Sequence, residues 1–275
     1  MSLNRSDLTA AITVLGLANR PVCIHSSMKS FGGEVVGGAQ MILDCFLEQG
    51  CTIIVFSSTG GKYKIQPPMD MRPEQNGVDY EWLDAQEYDA SSIYHPECND
   101  ISKAEMGLIP YTLLHMPARR RGRNPLHPFS AVGPLADELV GGQTAQNVWA
   151  PMQKLCELGG AVLLMGVSLN RATILHYAEQ AAGREPFIRW ANDSDGIPGI
   201  CRMGGCSRGF DHFAEVVKPI EQNCLVGKSL WRCFPAKELV QSCADAIKKD
   251  PLISHCGNSD CIRCDDAVQG GPLLS

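Results

Sequence analysis

His176 and Glu179 stand three positions apart in the stretch ATILHYAEQ. On a helix this spacing puts both on one face. A carboxylate beside an imidazole orients the ring and holds the tautomer that accepts a proton. A core or surface histidine beside an unrelated glutamate has the same spacing, so spacing alone leaves both readings open. A second set of residues suits an anion. His25, Ser26, Ser27 and Ser30 open the segment HSSMKSFGGEVVGG, which runs through Val35 and Val36 to Gly37 and Gly38. Helix N-termini expose unpaired N–H groups and carry partial positive charge. The serines add hydroxyl donors, and the glycines let backbone approach a ligand. The pattern is neither a Walker loop nor GxGxxG. A phosphate- or pyrophosphate-bearing cofactor fits it, and so does a turn that needs glycine.

Further along, ARRRGRNPLHPFSAVGP carries Arg119, Arg120, Arg121, Arg123 and His127. Arginines so close together suit forked contacts to phosphate, or a solvated basic face. Asp70, Glu74, Asp79, Glu81, Asp84, Glu87 and Asp89 form an acidic run that either attracts a cation or is a solvated loop. The chain has 13 cysteines. That number is odd, so a complete set of internal disulfides is impossible. Cys23, Cys45, Cys51 and Cys156 sit in apolar patterns and read as small buried hydrophobes. Cys261 and Cys264 form a CxxC, the usual half of a tetrahedral zinc site. Cys206 with Cys256 or His255 can supply the other half, making Cys206, Cys256, Cys261 and Cys264 the candidate structural zinc ligands. Reduced thiols or a disulfide are the alternatives.

These groups need elements to hold them. Residues 5–18 pattern as an amphipathic helix on Leu8, Ile12 and Leu15, with Ser6 and Asp7 as cap chemistry. Residues 22–25 and 51–56 read as buried strands around a helix over 37–48. That order of strand, glycine loop, helix and strand begins a parallel α/β sheet. Helices are expected over 107–116, 134–140, 151–157, 173–182 and 235–248, and the clearest strand over 161–167. Sites in open α/β sheets lie at the C-terminal ends of strands, which is where the His176 helix begins. Residues 60–105 are long for a connection and either function or carry elements of their own. The expected organisation is one α/β domain over 1–275, with a smaller subdomain from 60–105, 186–224 and 250–275.

Hydrophobic residues make up 44% of the 275 and charged residues 20%, which excludes a disordered chain. Lys and Arg total 24 against 30 Asp and Glu, a net charge of -6, the wrong balance for wrapping nucleic acid. No apolar run reaches the roughly 18 residues of a membrane span. The N-terminal stretch lacks the apolar core of a signal peptide, so the expected compartment is the cytoplasm.

In combination and order, these pieces resemble the aminoglycoside 3-N-acetyltransferase family of antibiotic N-acetyltransferases. The resemblance is carried by HSSMKSFGGEVVGGAQMILDCFLEQGCTIIVFSST (25–59), NPLHPFSAVGPLADEL (124–139) and LCELGGAVLLMGVSLNRATILHYAEQ (155–180), and more weakly by GGCSRGF (204–210) and CIRCDDA (261–267). It implies a three-layer α/β/α sandwich with a mainly parallel central sheet and a smaller appended subdomain. It implies acetyl transfer from acetyl-CoA to the 3-amino group of a cationic 2-deoxystreptamine aminoglycoside. Carried over by motif, His25, Ser26, Ser27, Ser30, Val35, Val36, Gly37 and Gly38 would hold the CoA pantetheine and pyrophosphate, with Arg123 and His127 on the cofactor side. His25 would lie near the thioester. His176 would be the general base, with Glu179 beside it. Two places depart from the family: Ser168, Leu169 and Asn170 replace a histidine-aspartate-like stretch, and Arg202 to Gly205 lack an acidic residue found in some members.

The chemistry is consistent with that set. An ammonium must lose a proton before it attacks a thioester, and a neutral imidazole can take it. The carbonyl oxygen gains charge and needs N–H donors. The alternatives are a CoA-dependent N-acetyltransferase for another amine and a non-catalytic, zinc-stabilised ligand-binding module. A thiol hydrolase is a further rival, for which Cys23 and Cys51 are poorly placed in mid-strand.

Overall fold

A computed structural model describes residues 2–273. The first helix, α1 (Arg5–Val14), starts at Asn4. The Asn4 side chain accepts from the Ser6 and Asp7 backbone N–H groups, and Asp7 returns the bond to the Asn4 N–H at 2.9 Å. The helix starts at residue 5 as expected and ends at Val14 rather than 18, and its cap is Asn4 rather than Ser6, because the Asn4 side chain satisfies the free N–H groups two residues earlier. Next come β1 (Pro21–Ser26), α2 (Gly38–Glu48) and β2 (Thr52–Phe56). A long stretch carries a 3-10 turn at Met69–Met71 and α3 (Tyr80–Asp84) before α4 (Lys103–Met106) and α5 (Leu108–Leu114). There follow β3 (Arg120–Arg121), β4 (Phe129–Val132), α6 (Ala136–Val140), α7 (Ala150–Glu157), β5 (Ala161–Met165) and α8 (Ile174–Ala181). The chain continues through β6 (Phe187–Asn192), β7 (Pro198–Met203), α9 (Ala214–Val217), β8 (Gln222–Val226), β9 (Ser229–Pro235), α10 (Ala236–Lys249) and α11 (Ile262–Val268).

Seven strands form one sheet in the order β3-β4-β2-β1-β5-β9-β8. Its centre, β2-β1-β5, is parallel, and each flank is antiparallel. Following these pairings across the sheet, only β4 and β9 run against the other five strands. The central strands are buried on both faces and read as unbroken apolar runs for that reason. Val22 and Ile24 point into one core with α1, α2 and α5. Cys23, Val162 and Leu164 point into the other, with α6 to α10. The result is a three-layer α/β/α sandwich.

β6 and β7 form a separate antiparallel pair. The stretch 63–94 packs against it. Ile65 N–H donates to the Trp190 carbonyl at 2.9 Å. The Asn76 amide both donates to and accepts from the Ile188 backbone, standing in for a strand residue. β8 joins the large sheet, so the 186–224 stretch divides between the two sheets. A tight hairpin to β9 places it there, and α1 packs beside it. The tail carries a helix, α11, that its polar sequence did not announce.

Candidate active site

The C-terminal ends of β1 and β5 lie side by side, with Ser26 paired to Met165. Above them opens a cleft of about 840 Å³. Gly166 forms part of its floor at φ +66°, where a Cβ would stand 2.0 Å from Ser30 Oγ. Only glycine allows the chain to turn out of β5 so closely over that serine.

His176 lines the cleft from the first turns of α8. Its Nδ1 lies 2.7 Å from Glu179 Oε2. Arg184 Nη1 donates to the other carboxylate oxygen at 2.9 Å. The ring stacks on Trp149 at 5.7 Å and 17°, and meets the edge of Phe210 at 4.8 Å. Gly204 closes the remaining side, since a Cβ there would stand 2.7 Å from His176 Cδ2. The Nδ1 proton is held by the carboxylate, so Nε2 is the atom free to accept one.

Two more histidines line the same cleft, His25 on β1 and His127 before β4. Burial and the nearby Arg171 hold His25 down to about 4. Burial, reinforced by the positive charges of Arg189 and Arg263, holds His127 down to about 3. Both rings are therefore neutral near pH 7. Gly204 N–H donates to His127 Nδ1 at 3.3 Å, which leaves the proton on Nε2. The loop bearing His127 is fixed by the buried Asn124. Its Oδ1 accepts from the Leu126 and His127 N–H groups, and its Nδ2 donates to the Ala145 and Arg202 carbonyls. Cys23 Sγ sits 3.5 Å from His25 Nε2, but burial pushes this thiol up to about 12. A neutral, enclosed thiol beside a neutral imidazole makes a poor nucleophile.

His25, Ser26, Ser27 and His127 of the expected cofactor set line the cleft, while Ser30, Val35, Val36, Gly37, Gly38 and Arg123 are not part of its lining. Ser30 donates to the Ser27 carbonyl at 2.6 Å and contacts Ser229 Oγ at 2.7 Å, bracing the strand ends. Val35 is buried in the core behind the sheet, Val36 and Gly37 form the turn into α2, and Gly38 is its first residue. Arg123 is exposed and away from the cleft lining. The positive groups that do line the cleft are Lys29 and Arg171. Neighbouring arginines work as cross-links: Arg119 donates to the Leu114 and Pro96 carbonyls, Arg121 to those of Ser57 and Asp100. Within the acidic run, Asp84 pairs with Arg72 and Asp79 caps α3. Sequence reasoning missed Arg184, Gly204, Asn124, Trp149, Lys29 and Arg171. The NPLH turn and the paired glycines of MGGC were the available signals for two of them.

At the end of the chain, the Sγ atoms of Cys206, Cys256, Cys261 and Cys264 all lie within 4.8 Å of one another. A tetrahedral zinc with sulfur ligands needs sulfurs roughly 3.8 Å apart. A donor set made only of sulfur suits a soft or borderline cation. A backbone hydrogen bond at Asn258 and the neighbouring thiols bring Cys256 down to about 7. The four residues fit the ion.

A sequence profile described as aminoglycoside 3-N-acetyltransferase matches residues 23–248. Aminoglycoside N(3)-acetyltransferase IX of Micromonospora chalcea is 30% identical over 192 residues, 66% of this chain and 63% of that protein. The matched stretch thus spans less than two thirds of that relative's length. Among solved structures, the apoenzyme of aminoglycoside acetyltransferase AAC(3)-IVa superposes with a TM-score of 0.77 at 20% identity, covering 98% of both chains. The binary complex of AAC-IIIb with CoASH superposes with a TM-score of 0.67 at 20% identity, covering 90% of this chain and 97% of the other. These likenesses show the same fold.

Proposed function

Because this chain belongs to the aminoglycoside 3-N-acetyltransferase family, we propose that it transfers the acetyl group of acetyl-CoA to the 3-amino group of a 2-deoxystreptamine aminoglycoside. Acetylation would remove one cationic centre from the drug and confer resistance. The observation that carries the reading is the Glu179-braced imidazole of His176 on the wall of the cleft. Nε2 of His176 takes the proton as the amine attacks the thioester carbon. Glu179 stabilises the imidazolium, and Arg184 fixes the carboxylate. The neutral His127 carries its proton on Nε2 and donates to the developing oxyanion. His25, Ser26 and Ser27 bound the thioester end, and Lys29 and Arg171 attract CoA phosphates. CoA thiolate leaves directly, so no acyl-enzyme forms.

The four cysteines bind a structural zinc that pins α11 and the 204–210 segment together. Those thiolates must be reduced to bind it, which agrees with a cytoplasmic location. Among the described residues, no helix is long and apolar enough to cross a membrane.

A second reading keeps the chemistry and takes a less charged amine. It is favoured by the cleft lining, where Glu105 is the single carboxylate among the described residues. Thiol release from acetyl-CoA, measured over a panel of aminoglycosides and simple amines, separates the two. Release dependent on aminoglycosides, with the 3-N-acetyl product identified by NMR, supports the first. Release with simple amines alone overturns it in favour of the second.

A further inference from the structure

The back of His176 is gripped by segments that converge on the cysteine cluster. Gly204, against the ring, is two residues before Cys206, and Phe210, at its edge, is four residues after. On the other side of the cluster, Ser254 is two residues before Cys256. Its Oγ accepts from Arg184 Nη1 at 2.7 Å and donates to Glu179 Oε1 at 3.3 Å. The Pro251 carbonyl accepts from Arg184 Nη2 at 2.5 Å. Ser254 is only 3% exposed and Arg184 7%. Gly209 packs onto this turn so tightly that a Cβ would stand 2.3 Å from the Ser254 carbonyl oxygen.

We propose that Ser254 is a positioning residue for the base, acting through Glu179 and Arg184 and held in place by the cysteine knuckle. The inference rests on His176 serving as the base of the acetyl transfer above. Glu179 Oε1 has two partners, Arg184 and Ser254, and Oε2 has one, His176. A hydroxyl accepts from the guanidinium and donates to the carboxylate through one small atom, which an alanine cannot do. Without it the guanidinium loses one of its anchors, and the carboxylate can rotate away from Nδ1. In a buried network each missing partner weakens those that remain.

The test compares Ser254→Ala with Ser254→Thr, which restores a hydroxyl. The first readout is hydrogen exchange of the His176 Nδ1 proton, seen by NMR with 15N-histidine and assigned by its loss in His176→Ala. Ser254→Ala should exchange at least about tenfold faster, and Ser254→Thr should remain near wild type. Ser254→Cys keeps the volume and weakens both hydrogen bonds, so it should fall between. The second readout is turnover with whichever amine is accepted. There kcat should drop about tenfold in Ser254→Ala, with KM for acetyl-CoA unchanged. Wild-type proton exchange in a folded Ser254→Ala or Ser254→Cys protein overturns the proposal. Faster exchange in a protein that acetylates no aminoglycoside supports the positioning role and counts against the acceptor reading alone.

Discussion

Nδ1 of His176 lies 2.7 Å from Oε2 of Glu179. One side of the ring is therefore committed to a carboxylate, and the other is free to take a proton. His176→Ala should lower kcat by about 10²–10⁴-fold while CoA binding, measured by calorimetry, persists. Glu179→Gln keeps the shape and removes the charge, and should lose a comparable factor by presenting the wrong hydrogen-bonding partner to Nδ1. Near-wild-type turnover in His176→Ala would show that the base lies elsewhere.

Gly204 is close enough to the imidazole that its missing side chain matters. A Cβ there would stand 2.7 Å from His176 Cδ2 and 3.1 Å from Nε2. Gly204→Ala should cut kcat at least about tenfold, because a misplaced catalytic group is costly. Steady-state kinetics and a thermal melt check this together. Lost activity with a melting point within a few degrees of wild type is the expected pair of results.

His25 and His127 stay neutral in the fold, with their pKa values held at about 4 and about 3 against 6.5 for a free histidine. The unfolded chain then binds more protons than the folded one below about pH 6.5. Stability should be full above that pH and decline as the pH falls through 6.5 toward 4. Chemical denaturation between pH 4 and 8 measures the slope. His127→Asn should make it shallower, and an unchanged slope in that variant would contradict the neutral assignment.

The cysteine knuckle makes a prediction independent of catalysis. Purified protein should contain about one zinc per chain, and Cys264→Ser should lose it. Because metal binding is linked to folding, that loss should lower the melting point by several degrees or more. Elemental analysis that finds no zinc in protein purified under reducing conditions would remove the metal from the account.

Parts of this arrangement were legible in the sequence for identifiable reasons. His176 and Glu179 meet because i,i+3 spacing is local and helical geometry is fixed. Cys261 and Cys264 meet for the same reason. The central strands were readable because burial on both faces makes them continuously apolar. Residues whose roles depend on distant partners were not. Arg119 and Arg121 looked like a basic island, yet their guanidiniums are spent on backbone carbonyls of segments some 20 to 60 residues away. Val35 belongs to a motif that suggests a ligand, but the 3-10 turn at Met28–Phe31 carries it behind the sheet. Arg184 and Ser254 are 70 residues apart and meet only because the tail returns to α8.

That return has a consequence for the order in which the protein is made. Synthesis delivers the imidazole of His176 long before Ser254 and Cys264, which complete its support. While the tail is still being added, His176 has its own helix and Glu179, but Pro251 and Ser254, the far anchors of Arg184, do not yet exist. The network behind the imidazole therefore closes only once residues 251–254 have been made and have packed against α8.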